Sequence, residues 1–194
     1  MRAKPIRKHI DLICISVIFV AITIVLSIFK KDFLLYNFFV FEGKNNNFLQ
    51  LISSSIITQF VHLEFLHLLS NIVFAFYINK EASKYISSKR KIVVAIVGGI
   101  SVACSLIIFA QVGIEYVGAS GWLGAVMGAT LVASIISQGN KITSDNKDLV
   151  YMSLLFVILS VIVPTISILM HVSGFLSGVL IQFICEYIKL RKVK

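Results

Sequence analysis

Apolar residues in this chain gather into six long runs, at about 12–29, 63–79, 92–112, 119–137, 149–163 and 167–188, separated by shorter polar stretches. Most are near the roughly 20 residues that a helix needs to cross the hydrocarbon core of a bilayer. The last two runs are almost continuous. A single helix over 149–188 would be about 60 Å long, about twice the hydrocarbon thickness. Pro164 stands where the chain must turn back, because proline removes a backbone donor and clashes with the preceding turn. The pattern therefore predicts an all-α, polytopic membrane protein with six spans, the fifth a short one. Residues 30–61 do not fit this rhythm. DFLLYNFFVF and FLQLISSSIITQF are apolar and aromatic but too short to span with the turn-like EGKNNN between them. An interfacial hairpin or short amphipathic helices in the outer leaflet are expected there; a pair of extra short spans is the alternative, and would leave the topology even.

Composition agrees with a lipid environment. The chain has 194 residues, 58% hydrophobic and 14% charged, against about a quarter charged in a typical soluble domain. No polar stretch is long enough for a second domain, so residues 1–194 are expected to form one membrane domain with its core at about 10–190. The net charge of +9 would suggest nucleic acid in a soluble protein, but its distribution says otherwise. All but three of the 18 basic residues fall at the N-terminus, in the 80–91 loop, at Lys141 and Lys147, or at the C-terminus. Only Lys30, Lys31 and Lys44 lie on the opposite side. Basic residues are retained in the cytoplasm, so both termini are expected inside, in a bacterial plasma membrane, and no nucleic-acid partner is implied. The first run ends in Lys30-Lys31 without a small-x-small cleavage pattern, which reads as a retained anchor. Cys14, Cys104 and Cys185 lie in different runs without metal-like spacing and read as small packing residues.

Polar side chains inside spans are costly and point to function. His62, His67 and Asn71 open the second span in HLEFLHLLSN, Ser120 opens the fourth within GASG, and His171 lies near the start of the sixth in HVSGFLSG. These three spans run in the same direction, so all five groups are expected at one depth, in the outer part of the membrane. His67 and Asn71, four apart, share a helix face and can direct donors at one place. His62 and His67 are about 140° apart on a helix, unlike an i, i+4 metal pair, and no metal or cofactor is expected. His62 reads as structural, bonding the preceding loop.

A serine in a span usually bonds the carbonyl one turn back. Here Gly118 and Gly121 bracket Ser120, and Gly124 and Gly128 extend a small-residue face. His171, Gly174 and Gly178 form a second such face, within about 60° on the helical wheel. Small faces let helix backbones approach closely, which would bring Ser120 against His171 as proton transfer from hydroxyl to imidazole requires. No acid sits near His171. Only Glu64 is at the right level, and it lies on the His67–Asn71 side, so a Ser120–His171 dyad without an Asp is the reading.

At these residues the chain resembles the rhomboid family of intramembrane serine proteases. The shared pattern is His62, His67 and Asn71 in the second span, GASG at 118–121 in the fourth, and His171 with Gly174 and Gly178 in the sixth. The resemblance implies a six-helix rhomboid-like bundle that hydrolyses single-span membrane proteins near the outer membrane face. It makes Ser120 the nucleophile and His171 the base and then the acid, with His67, Asn71 and the Ser120 backbone N–H as oxyanion donors. Two features depart from it. The Trp-Arg pair usual in the first external loop is missing, Trp122 being the only tryptophan. The aromatic usual four residues after the serine, which stacks on the histidine, is replaced by Gly124. Close packing of Gly124 on the Gly174–Gly178 face is expected in its place; the alternative is another ring filling the gap, for which Trp122 is nearest in sequence but points about 160° away on a regular helix. The rival readings are a small polytopic transporter, which would need intramembrane carboxylates and repeat symmetry that the sequence lacks, and an inactive rhomboid-like binding protein, which would normally have lost Ser120 or His171.

Overall fold

A computed structural model describes residues 39–42, 48–162 and 167–192. The expected first span at 12–29, Lys44 and Pro164 lie outside the described residues. Within them the chain forms α1 (Phe48–Ile57), α2 (Phe65–Tyr85), α3 (Ser88–Phe109), α4 (Ser120–Ser137), α5 (Lys147–Ile162) and α6 (Ile168–Lys192). A 3₁₀ turn, Thr58–Phe60, joins α1 to α2. Each apolar run from residue 63 onward thus becomes one helix, and among the described residues the only extended pairing is an isolated bridge between Phe41 and Tyr116.

Length and hydropathy suit α3, α4 and α6 to crossing a membrane. α1 and α2 together pass the same test but are bent by 73° at their junction. α1 alone is about 15 Å long and cannot span, so this segment is a short helix of the kind expected and not an extra span. α5, at 16 residues, is about 24 Å long, shorter than the three helices whose length and hydropathy suit a span, and it occupies the place where a short fifth span is expected. Ile92, Ile96 and Ile100 of α3 and Leu176, Leu180 and Phe183 of α6 point outward and are exposed. Such a belt would be a liability in water and is the surface that hydrocarbon requires.

α4 is the centre of the bundle, packed by α2, α3 and most extensively by α6. Its small residues make this possible. A Cβ on Gly174 would collide with the carbonyl oxygen of Gly121, and one on Gly178 with that of Ala125. Apolar burial provides little net drive between helices in lipid, so van der Waals contact at close backbone approach carries the association. The facing set is Gly121, Ala125 and Gly128, spaced four and three apart on α4. Gly124 is not in it, and this corrects the packing expected from the sequence.

The loop before α4 is tied to the chain around α1. The Thr58 hydroxyl donates to the Tyr116 carbonyl and accepts from the Phe41 N–H. The N–H groups of Tyr116 and Gly118 donate to the carbonyls of Phe41 and Thr58 at 2.9 and 3.1 Å. Gln59 Nε2 donates to the Gly99 carbonyl at 2.8 Å, anchoring the 3₁₀ turn on α3. These bonds satisfy backbone groups that would otherwise be buried unpaired, and they set the point from which α4 starts.

Candidate active site

Three helices begin at the same level. Ser120 is the first residue of α4, His67 the third of α2 and His171 the fourth of α6. Ser120 and His171 are both nearly buried, and Ser120 Oγ lies 2.6 Å from His171 Nε2. This contact joins residues 51 apart in sequence and follows from the Gly121–Gly174 approach one step further into the membrane. Ser120 caps no carbonyl of its own helix in the described bonds; its hydroxyl is directed at the imidazole instead.

A cavity of about 570 Å³ opens beside this pair and is lined by Glu64, His67, Ser70, Asn71, Ser120, Ser167 and His171 among others. His67 and Asn71 therefore face the same space as Ser120. Gly118 lies against both, at φ +110°, and a Cβ there would come within 2.6 Å of the His67 ring. Only glycine fits that combination of left-handed backbone and close approach. The N-terminus of α4 carries no side-chain cap, so its first N–H groups have no side-chain acceptor there, and its first residue, Ser120, lines the cavity.

His62 stands behind Asn71. Asn71 Nδ2 donates to His62 Nε2 at 2.8 Å, the His62 ring meets His67 edge-on with centroids 5.1 Å apart, and the residue bonds the Phe60 backbone. The first two contacts orient the two cavity-facing residues, and the third is the tie to the preceding loop expected from the sequence. Glu64 is exposed at the cavity rim. Trp122 faces α2 in a cluster with Leu68, Ala75 and Leu123, far round the helix from Gly124.

Two residues that sequence reasoning missed complete the surroundings of His171. Phe156 of α5 stacks on the imidazole, with centroids 4.4 Å apart and planes inclined by 15°. It stacks in turn on Phe74 of α2 at 5.4 Å. The ring occupies the space above Gly124, where an added Cβ would meet Phe156 carbons at 3.0 Å. The aromatic support usual on the fourth span is thus supplied here by the fifth. Ser160, one turn further along α5, places Oγ 2.7 Å from His171 Nδ1 and donates to the Phe156 carbonyl at 2.6 Å. A signal for both was present: Ser153, Phe156 and Ser160 fall on one face of a helix that is aliphatic over most of its length after Met152, a spacing with no purpose on a lipid-facing surface.

The rhomboid-domain family model matches residues 46–187. The chain belongs to the rhomboid family. No curated relative matches it. Rhomboid proteins are integral membrane proteins, generally intramembrane serine proteases acting on transmembrane substrates, and the family includes inactive members. The all-α membrane bundle found here is the fold that the family assignment supports. Among the described residues, no group of three or more His, Cys, Asp or Glu side chains is arranged to hold a metal.

Proposed function

We propose that this rhomboid protein is an active serine endopeptidase that cleaves single-span membrane proteins near the outer face of the membrane. One observation carries the reading: the Ser120 hydroxyl meets His171 Nε2 at 2.6 Å beside a cavity lined by His67 and Asn71. An inactive member has no need to keep that bond at the mouth of a polar cavity.

In the proposed reaction Ser120 Oγ attacks the scissile carbonyl carbon while its proton passes to His171 Nε2. The carbonyl oxygen becomes an oxyanion, received by His67, Asn71 and the Ser120 N–H at the start of α4. Collapse breaks the C–N bond, and the imidazolium gives its proton to the departing amine. Water, deprotonated by the same imidazole, then releases the acyl group and restores Ser120. The site is on the outer side because α2, α4 and α6 all begin there if the basic loops are cytoplasmic. Residues 1–194 act as one domain in a bacterial plasma membrane, with both termini on its cytoplasmic side.

The test is cleavage of a single-span substrate by the full-length protein in liposomes. Wild type should cut, and Ser120→Ala and His171→Ala should not. His67→Ala or Asn71→Ala should retain some turnover, since one oxyanion donor is worth about 3 kcal/mol or roughly 10²-fold in rate. Undiminished cleavage by Ser120→Ala would end the serine-protease reading. Orientation is checked separately by an impermeant thiol reagent, which should label Glu115→Cys from outside and Lys89→Cys only after permeabilisation.

A further inference from the structure

Nδ1 is the nitrogen of His171 that does not face Ser120, and what it binds decides which proton form the ring adopts. A neutral imidazole has one N–H and one lone pair. To take a proton from Ser120, Nε2 must carry the lone pair, so the N–H must be on Nδ1. In serine proteases with a triad a carboxylate holds that tautomer; among the described residues His171 Nδ1 meets the Ser160 hydroxyl instead.

Ser160 is placed to do this. Its hydroxyl has a single proton and two lone pairs. The proton is committed to the Phe156 carbonyl, at 2.6 Å, because a carbonyl can only accept. Oγ is then left as an acceptor 2.7 Å from His171 Nδ1, and that distance requires Nδ1 to donate. The resulting chain runs in one direction: Ser120 O–H to His171 Nε2, His171 Nδ1–H to Ser160 Oγ, Ser160 O–H to the Phe156 carbonyl. Ser160 is buried, so water does not readily substitute for it. The same helical turn of α5 provides Phe156, whose ring lies flat on the imidazole and sets its plane.

We infer that Ser160 is a positioning residue for the base: by accepting from Nδ1 it holds His171 in the tautomer whose Nε2 receives the Ser120 proton, while Phe156 fixes the orientation of the ring. This rests on the reading of the chain as a serine protease. It also makes the docking of α5 a condition for an assembled base. Removing the Ser160 hydroxyl leaves a buried Nδ1–H without an acceptor, a penalty that the ring escapes by moving its proton to Nε2. That tautomer donates to Ser120 instead of accepting from it.

The experiment uses full-length protein labelled with ¹⁵N-histidine, its His171 ring signals assigned by their loss in His171→Asn, together with cleavage kinetics. Wild type should show the Nδ1–H form, and Ser160→Ala should move the population toward Nε2–H. The kcat of Ser160→Ala should fall about tenfold to a hundredfold, part of the 10²–10⁴ that a positioned base contributes, with KM nearly unchanged. Ser160→Thr, which keeps the hydroxyl, should retain the wild-type ring signals. An Nε2–H ring in wild type would overturn the inference whether or not any variant folds. So would a Ser160→Ala protein that keeps the Nδ1–H form or the wild-type kcat. A wild type that holds the Nδ1–H form but cuts nothing would count against the protease reading alone.

Discussion

α4 and α5 hold the two ends of one hydrogen-bonded chain, yet they are built in opposite ways. α4 is buried along nearly its whole length, and its glycines and alanines let α6 and α3 close on its backbone. It carries Ser120 at its first position. α5 buries only Leu149, Ser153 and Ser160, and turns Leu154, Leu155, Ile158 and Leu159 outward. It reaches the site through Phe156 and Ser160. The proposed nucleophile therefore stands on the most constrained element of the bundle, and the supports of its proposed base stand on an element held by few contacts. Helices in lipid associate through packing, so the second attachment is the weaker one. A peripheral helix can contribute decisively to a site with two side chains.

The difference can be broken most severely at the α4–α6 contact. Gly178→Val would drive a side chain into the Ala125 carbonyl, and overpacking of this kind costs about 3 kcal/mol or more when neither backbone can move. Loss of folded protein in a detergent melting curve, together with loss of cleavage, is the expected result. Normal melting would show that the two helices can separate, and that the small faces are not what sets the Ser120–His171 distance.

A second break is at the stack. Phe156→Leu keeps an apolar side chain but removes the ring that faces His171 and Phe74. Aromatic contacts of this sort are worth about 0.5–1.5 kcal/mol, so melting should shift only slightly while kcat falls about tenfold, within the range of a misplaced base. If melting and kcat fell in proportion, Phe156 would be ordinary packing.

The exchange of an aromatic between α4 and α5 gives a sharper test. Gly124→Tyr puts a side chain where the Phe156 ring lies, and should lower both stability and cleavage, by about 1–3 kcal/mol in the first case. Combined with Phe156→Ala, the tyrosine has room to take over the ring's place, and the double variant should cleave faster than Gly124→Tyr alone. Additive losses would mean that the two positions do not share one space.

The smallest effects belong to the lipid side of α5. Leu155→Ala and Ile158→Ala should change melting and cleavage by no more than about 0.5 kcal/mol, as for surface positions away from special contacts. A large loss of cleavage at either would place the outer face of α5 in the path of the substrate or in a helix contact.

Much of this protein is written in one dimension. Apolar runs of membrane-crossing length, a proline between the last two and the lopsided placement of Lys and Arg are local or additive properties. From residue 63 onward they specify which segments become helices and their relative direction before any contact forms. Because α2, α4 and α6 share a direction, the gathering of His67, Asn71, Ser120 and His171 at one level was legible too, and small-residue spacing pointed to the approach of α4 and α6. The surroundings of His171 were not legible in the same way. Gly124 sits in a stripe with Gly121 and Gly128, and nothing in that spacing says which of the three faces α6 and which leaves room for a ring. The stripe is wide enough for either choice, and only the crossing of the helices presses Gly121 and Gly128 closest to the α6 backbone and leaves beside Gly124, which also borders the His171 carbonyl, the room that Phe156 fills. Likewise Ser160 could have bonded only its own helix, as serines in spans usually do. Its second bond, to Nδ1, exists because α5 and α6 meet at that turn. Which side chains surround an imidazole depends on helix rotation and crossing across three elements at once, and those are settled by packing between segments far apart in the chain.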